Sequence, residues 1–228
     1  MNQWDYDGSR LRKLSQWLLA AGFLLFVFYC GFFRLNCVDP GFHVRTGELV
    51  LQAGGIPSKN TFSFTQPEHP WLLHQWMPAV FFFIACHSGG IAGLILFKAF
   101  LGVVIFGIVW AACRMEARNN GIAAFWAATI GVFTARIRLF ERPFMFSALL
   151  LALLFLLMRR FGRRKSWLYA GLPALMGVWA NTHAGYIYGL LLLAVWWPLS
   201  WICGRGKCPA SGTAESEFPG PVSFAGAI

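Results

Sequence analysis

Two stretches of this chain, Leu14 to Phe33 and Ile91 to Cys113, contain one charged residue between them, Lys98. A bilayer's hydrocarbon core is about 30 Å thick and needs about 20 predominantly apolar residues per helix. Within it, backbone polar groups must be satisfied inside the segment, which leaves the helix as the form such runs adopt. Composition points the same way. Hydrophobic residues make up 57% of the 228 positions and charged residues 12%, against about a quarter charged in ordinary soluble domains. The expected fold is therefore an all-α polytopic membrane protein.

Apolar runs lie at about 14–33, 71–87, 91–113, 121–135, 143–158, 167–180 and 185–203. The run at 71–87 is interrupted by His74, Gln75 and Pro78 and ends at His87 and Gly89-Gly90. Charge placement arbitrates whether it spans. If it lies in the interface and the N-terminus is cytoplasmic, twelve of the nineteen Lys and Arg residues fall inside, six outside, and Lys98 within a span. This is the positive-inside pattern. Counting 71–87 as a span inverts the ratio. Placing the N-terminus outside restores the ratio but puts Arg10, Arg12 and Lys13 on the wrong side of the first span.

The reading is thus about six spans in the inner (plasma) membrane, with a first extracytoplasmic loop over 34–90 that contains short interfacial helices. The segment 204–228, rich in Gly, Pro, Ala and Ser, reads as a flexible tail. The net charge of +10 is accounted for by the inside loops, not by a nucleic-acid face. No small-residue cleavage motif follows the first run, so it reads as an uncleaved anchor. Six scattered cysteines without a CxxC pair read as structural.

The polar residues with chemistry in them collect on the outer side. Asp39-Pro40 is a helix start, since Asp can cap exposed N–H groups and Pro is tolerated at the first helical position. The helix would run to about Ala53 and close at Gly54-Gly55. His43 falls four residues on and shares a face with Asp39, whereas Glu48 lies on roughly the opposite side. Asp39 has two readings, cap or catalytic acid. Glu48 reads as a solvated charge or a site member, and His43 and His74 as hydrogen-bonded interfacial histidines or as ligands, without the spacing of a known metal motif.

Arg136, Arg138 and Arg142, beside Glu141, form an outer basic cluster against the inside bias. Arginine forks suit phosphate oxygens, and pairing with head groups or with Glu141 is the alternative. Lys98 stands about 10 Å from the outer end of its span at 1.5 Å per residue, where an ionisable group is either functional or snorkels outward. Asn181 and His183 fall at the outer turn between the last two spans. The runs at 121, 143 and 167 are short for the bilayer and suit helices that border a wet cavity.

The stretch Asp39-Pro-Gly-Phe-His-Val-Arg-Thr-Gly-Glu48, followed by Gly55-Ile-Pro57, Phe62-Ser-Phe-Thr65, Pro70-Trp71 and His74-Gln-Trp76, resembles the first outer loop of a group of bacterial polytopic proteins similar to the type-C (GT-C) glycosyltransferase superfamily. Glu141-Arg-Pro-Phe-Met-Phe-Ser147 and Trp179-Ala-Asn-Thr-His-Ala-Gly185 resemble motifs of the same group, so that the resemblance covers roughly residues 10 to 203. It implies a GT-C-like transmembrane domain over 1–203, a polyprenyl-phosphate sugar donor and an acceptor outside the cytoplasm. It makes Asp39 the acidic catalytic residue, with His43, Glu48, His74, Lys98, Arg136, Arg138, Arg142, Asn181 and His183 as candidates for substrate or phosphate binding.

Gly41 stands where many relatives have a second acid, Gln75 where they often have Glu, and Asn60 where Asp is common, which argues against a two-carboxylate or metal mechanism. No cofactor is implied. Superfamily members tend to be longer, so the resemblance implies either such a glycosyltransferase or the N-terminal part, or a truncated product, of one. The alternative reading is a non-enzymatic membrane protein, either an assembly partner or an inactive fragment.

Overall fold

The computed structural model describes residues 3–35, 39–118, 120–162, 164 and 166–204. The tail expected over 204–228 lies, from 205 onward, outside the described residues. The elements are α1 (Gln3–Gly31), α2 (Pro40–Ala53), α3 (Trp76–Glu116), α4 (Gly121–Ala135), α5 (Phe144–Phe161), α6 (Leu172–Ala180) and α7 (Tyr186–Gly204). A 3₁₀ turn, Arg136–Arg138, follows α4, and a π turn, Trp167–Gly171, leads into α6. Among the described residues there is no β-strand, only an isolated bridge between Lys59 and Pro70.

Three helical stretches are long and apolar enough to cross a membrane: Lys13–Gly31, Trp76–Glu116 and Phe144–Phe161. Shorter apolar helices cover Trp167–Ala180 and Tyr186–Leu199. Large apolar side chains such as Trp17, Phe100, Trp126, Ile130 and Leu191 face outward along these helices. A water-soluble monomer rarely exposes so broad an apolar surface.

The 41 residues of α3 do not form one rod. Gly90 adopts φ 58°, ψ −144°, a conformation that essentially only glycine reaches, and the chain reverses there. Phe81 and Phe97 consequently stack with ring centroids 6.4 Å apart, and a Cβ at Gly93 would stand 2.1 Å from the Ala85 carbonyl oxygen. In an unbroken helix, residues this far apart in sequence could not touch. The first limb, 76–88, is roughly 20 Å long and the second, 91–116, roughly 39 Å at 1.5 Å per residue. The interrupted run expected at the outer interface is therefore the short arm of a helical hairpin.

Neighbour pairs fix the direction of the other helices. Gly31 lies against Ala99 and Leu24 against Gly107, so α1 runs antiparallel to the long limb. Gly121 lies near Gln16 and Phe125 packs on Phe23, which makes α4 parallel to α1. Phe146 meets Phe97 at one end of α5, and Arg159 pairs with Glu116 at the other. Trp167 donates to Met158 and Trp179 to Ser147, which sets α6 antiparallel to α5. Trp196 lies beside Gly162, so α7 descends with α5. With α2 and the short limb of α3 set aside, α1, the long limb of α3, α4, α5, α6 and α7 thus alternate in direction.

The main core, including Phe23, Val27, Leu101, Ile105, Val132 and Phe146, joins α1, α3, α4 and the start of α5. A smaller core of Leu150, Leu154, Met158 and Trp179 joins α5, α6 and α7.

Helix α2 starts and stops as its sequence indicates: Pro40 is at its head and Gly54, at φ 62°, closes it with bonds back to Leu51 and Val50. It lies on the short limb of α3 through Gly47, where a Cβ would stand 2.1 Å from the carbonyl oxygen of Ala79. That atom is backbone and cannot step aside as a side chain would. Gly47→Ala should therefore destabilise the protein by about 1–3 kcal/mol, read as a lower midpoint of thermal unfolding in detergent. Gly41→Ala, which has open space at the Cβ position, is the control and should shift the midpoint far less.

Candidate functional site

The end of α1, the start of α2, the head of α5 and the turn between α6 and α7 converge at one end of the bundle. Two ion pairs organise this end. Arg142 Nη2 lies 2.8 Å from Asp39 Oδ2, with the two side chains 53% and 40% exposed. Lys98 Nζ lies 2.6 Å from Glu141 Oε1, with side chains 0% and 1% exposed. Lys98 also donates to the Phe33 carbonyl at 2.8 Å and sits 3.5 Å from the centre of the Phe33 ring.

Asp39 does not act as a side-chain cap. It holds φ −86°, ψ −14° and makes no capping bond. The reason is placement: Arg142, just before α5, presents a charged donor to the same carboxylate, and a charge-assisted bond outweighs a neutral one. Glu141 likewise does not pair with its neighbouring arginines, because it turns inward to Lys98. Lys98 does not snorkel. Two of its three N–H donors go to Glu141 and the Phe33 carbonyl and its side chain is fully buried, so it stands behind the site, closed off from any ligand at the surface.

His43 begins the regular bonding of α2, donating its backbone N–H to Asp39 O at 3.1 Å. Its ring is buried against Phe42 and Phe82. Burial lowers its pKa, the Asp39 carboxylate opposes that shift, and Arg142 adds to it. All three groups therefore feel one another's charge. Glu48 is not part of this group; it pairs with Arg45 and accepts from Gln52 at 3.1 Å on the outer side of α2.

The second part of the site surrounds His183. Its Nδ1 accepts from the Gly185 backbone N–H at 2.9 Å. Nδ1 therefore carries no proton, and Ser147 Oγ, also 2.9 Å away, donates to it. Ser147 in turn accepts from Trp179 Nε1 at 2.9 Å. The ring is held in one tautomer with its proton on Nε2. Phe144, two residues beyond Arg142, packs edge-on against the same ring. Burial lowers the His183 pKa and the proximity of His74 lowers it further. Asn181 accepts from Trp76 Nε1 at 3.0 Å, which joins the α6–α7 turn to the start of α3.

Arg136 and Arg138 are exposed on the 3₁₀ turn. Arg136 lies over the Phe133 ring, 4.4 Å from its centre, and neither makes an ion pair among the described residues. Both remain open to an anion. Among the described residues no three His, Cys, Asp or Glu side chains are grouped closely enough to hold a metal ion.

Asp39, His43, Arg142 and, through Phe144, His183 and His74 thus come together, with Asn181 at the adjoining turn; Glu48 stays apart and Lys98 sits beneath. Ser147 was missed by sequence reasoning, because a single Ser near the head of an apolar helix carries no signal until its partners are known. The chain matches no family model, no curated protein and no solved structure.

The His183 and His43 shifts have a consequence for stability. Both groups hold protons less tightly folded than unfolded, so the unfolded state binds more protons below the ordinary value of 6.5, and stability rises with pH there. Their contribution is complete above pH 6.5 and is lost as the pH falls through the folded values. Thermal unfolding in detergent should therefore shift to lower temperature between pH 7.5 and 5. The shift should shrink in His183→Gln relative to each protein's own value at pH 7.5, and an unchanged pH dependence would count against the buried-imidazole account.

Proposed function

We propose that this chain is a multi-pass protein of the inner (plasma) membrane, with six spans and a cytoplasmic N-terminus, and that its outer face belongs to a glycosyltransferase of the GT-C type or to the N-terminal part of one. Donor and acceptor would be a polyprenyl-phosphate-linked sugar and an extracytoplasmic hydroxyl compound. The topology is supported by the alternating direction of α1, the long limb of α3, α4, α5, α6 and α7 and by the length of the short α3 limb, roughly 20 Å against a hydrocarbon core of about 30 Å. The end of the bundle away from Asp39 carries Arg114 in the last turn of α3 and Arg118 just beyond it, and Arg159 and Arg160 in the last turn of α5 with Arg164 beyond it, the charge bias of a cytoplasmic side.

The observation that carries the functional reading is the Asp39–Arg142 pair. It sets a carboxylate beside a guanidinium fork at the edge of an apolar bundle, with Arg136 and Arg138 on the same corner. In sugar transfer the acceptor oxygen bonds to the anomeric carbon, the bond from that carbon to the phosphate oxygen breaks, and polyprenyl phosphate leaves. Asp39 takes the acceptor's proton or orients its hydroxyl, and arginine neutralises the charge that develops on the departing phosphate. A half-exposed ion pair is worth only about 0.2–1 kcal/mol, so a phosphate can draw Arg142 from Asp39 at small cost and leave the carboxylate available to the acceptor.

Transfer of radiolabelled sugar from a polyprenyl-phosphate donor in membranes should fall at least 100-fold in Asp39→Asn while the protein level is maintained; unchanged transfer removes Asp39 from the reaction. Transfer absent from the wild type as well would favour the non-enzymatic reading. A reporter inserted at Gly89 should be extracytoplasmic and one at Asn119 cytoplasmic. A cytoplasmic Gly89 would overturn the six-span topology.

A further inference from the structure

The buried pair joins the end of α1, at Phe33, to Glu141, the residue before Arg142. Lys98 Nζ bonds the carbonyl of Phe33 and the carboxylate of Glu141 at 2.8 and 2.6 Å. Asp39 lies six residues beyond Phe33, and Arg142 is the residue after Glu141. The ammonium thus ties the end of α1 to the corner between α4 and α5 at the level where the two halves of the candidate site emerge.

The energetics of this tie are unusual. Glu141 Oε2 is buried and finds no hydrogen-bond partner among the described residues, and a buried polar group left unsatisfied is destabilising. Buried ion pairs are in any case weak contributors to net stability, since desolvation offsets their attraction, and apolar replacements of similar volume are often neutral or stabilising. The pair's consequence is therefore one of geometry. The half-exposed Asp39–Arg142 pair, like other ion pairs in contact with solvent, is too weak to bring its own backbones together.

We propose that Lys98 and Glu141 are positioning residues: by bridging Phe33 to the head of α5 they hold Asp39 and Arg142 within reach of each other. The functional meaning of that proximity rests on the reading of Asp39 and Arg142 given above, but the proximity is measurable without any sugar transfer. A failure here is thus distinct from a failure of the glycosyltransferase reading.

The test uses the full chain in membranes, with its six native cysteines replaced by alanine and new cysteines at Asp39→Cys and Arg142→Cys. The yield of intramolecular crosslink with a short bis-maleimide is then measured. Lys98→Met should reduce the yield at least fivefold. Glu141→Gln, whose amide oxygen still accepts from Lys98, should keep more than half of it. The double variant Lys98→Met/Glu141→Met removes both charges, and should keep the wild-type unfolding midpoint in detergent yet crosslink as poorly as Lys98→Met. That combination separates positioning from folding, because a purely structural pair would lose or keep both properties together. Unchanged crosslinking in the folded double variant overturns the proposal. If the double variant is not recovered, Lys98→Met and Glu141→Gln decide the matter alone, and equal yields in those two overturn it.

Discussion

Gly90 holds the one backbone conformation in this chain that the rest of the architecture depends on. At φ 58°, ψ −144° it turns what would be a helix of roughly 62 Å, at 1.5 Å per residue, into a hairpin of unequal arms. The long arm reaches from one end of the bundle to the other. The short arm returns only part of the way, far enough to seat α2 at Gly47 and to set Trp76 beside Asn181. Had the arms been equal, every later helix would have run in the opposite direction, and the head of α5 would have been carried away from Asp39. The convergence of α1, α2, α5 and the α6–α7 turn is thus inherited from one reversal.

The two ends of the bundle differ in how their charges are resolved. At the end near Arg159 the ion pair to Glu116 is partly exposed, and the neighbouring Arg160 and Arg164 rest on the Phe161 ring; water or lipid head groups can satisfy them. At the opposite end the charges form two layers. The inner layer, Lys98 with Glu141, has no access to solvent, so each charge is obliged to find the other. The outer layer, Asp39 with Arg142, is half-exposed and exchangeable. A ligand phosphate can compete for the second and has no path to the first. This separation gives Lys98 a different part from the one its sequence position invites, since a lysine in an apolar helix is by default a functional group.

The positions of the helices were legible in the sequence because each apolar run is bounded by charged or glycine-rich breaks. The 121–135 run coincides with α4, and Gly54-Gly55 ends α2 as expected. The doubtful nature of 71–87 was also visible, in its polar residues and in the Gly89-Gly90 pair, although the depth of the fold-back was not. Pairings were another matter. Nothing in the residues around Glu141 says that it turns from the adjacent Arg142, and from Arg138 three residues before it, to a lysine 43 positions away, because that choice is set by which side of the α4–α5 corner faces the core. Asp39 reads locally as a cap, and only the tertiary approach of Arg142 removes it from that part. Glu48, four residues from Gln52 and three from Arg45, did what its helical spacing predicts.

Burial lowers the pKa of His43 and of His183 and so disfavours their charged forms. His183 receives a hydrogen bond from the Gly185 N–H on the same nitrogen that faces Ser147. Protonating Nδ1 would break both bonds at once, and protonation is opposed as well by desolvation and by His74. The imidazole is therefore locked as a donor through Nε2, a form that can hold a hydroxyl or phosphate oxygen but cannot add a positive charge to the site near neutral pH. Positive charge is left to the arginines, which are permanently ionised. On the proposed reading, anion binding at this face should then depend little on pH above the histidine range, while the acid–base part of the chemistry rests on Asp39, the carboxylate beside the movable guanidinium.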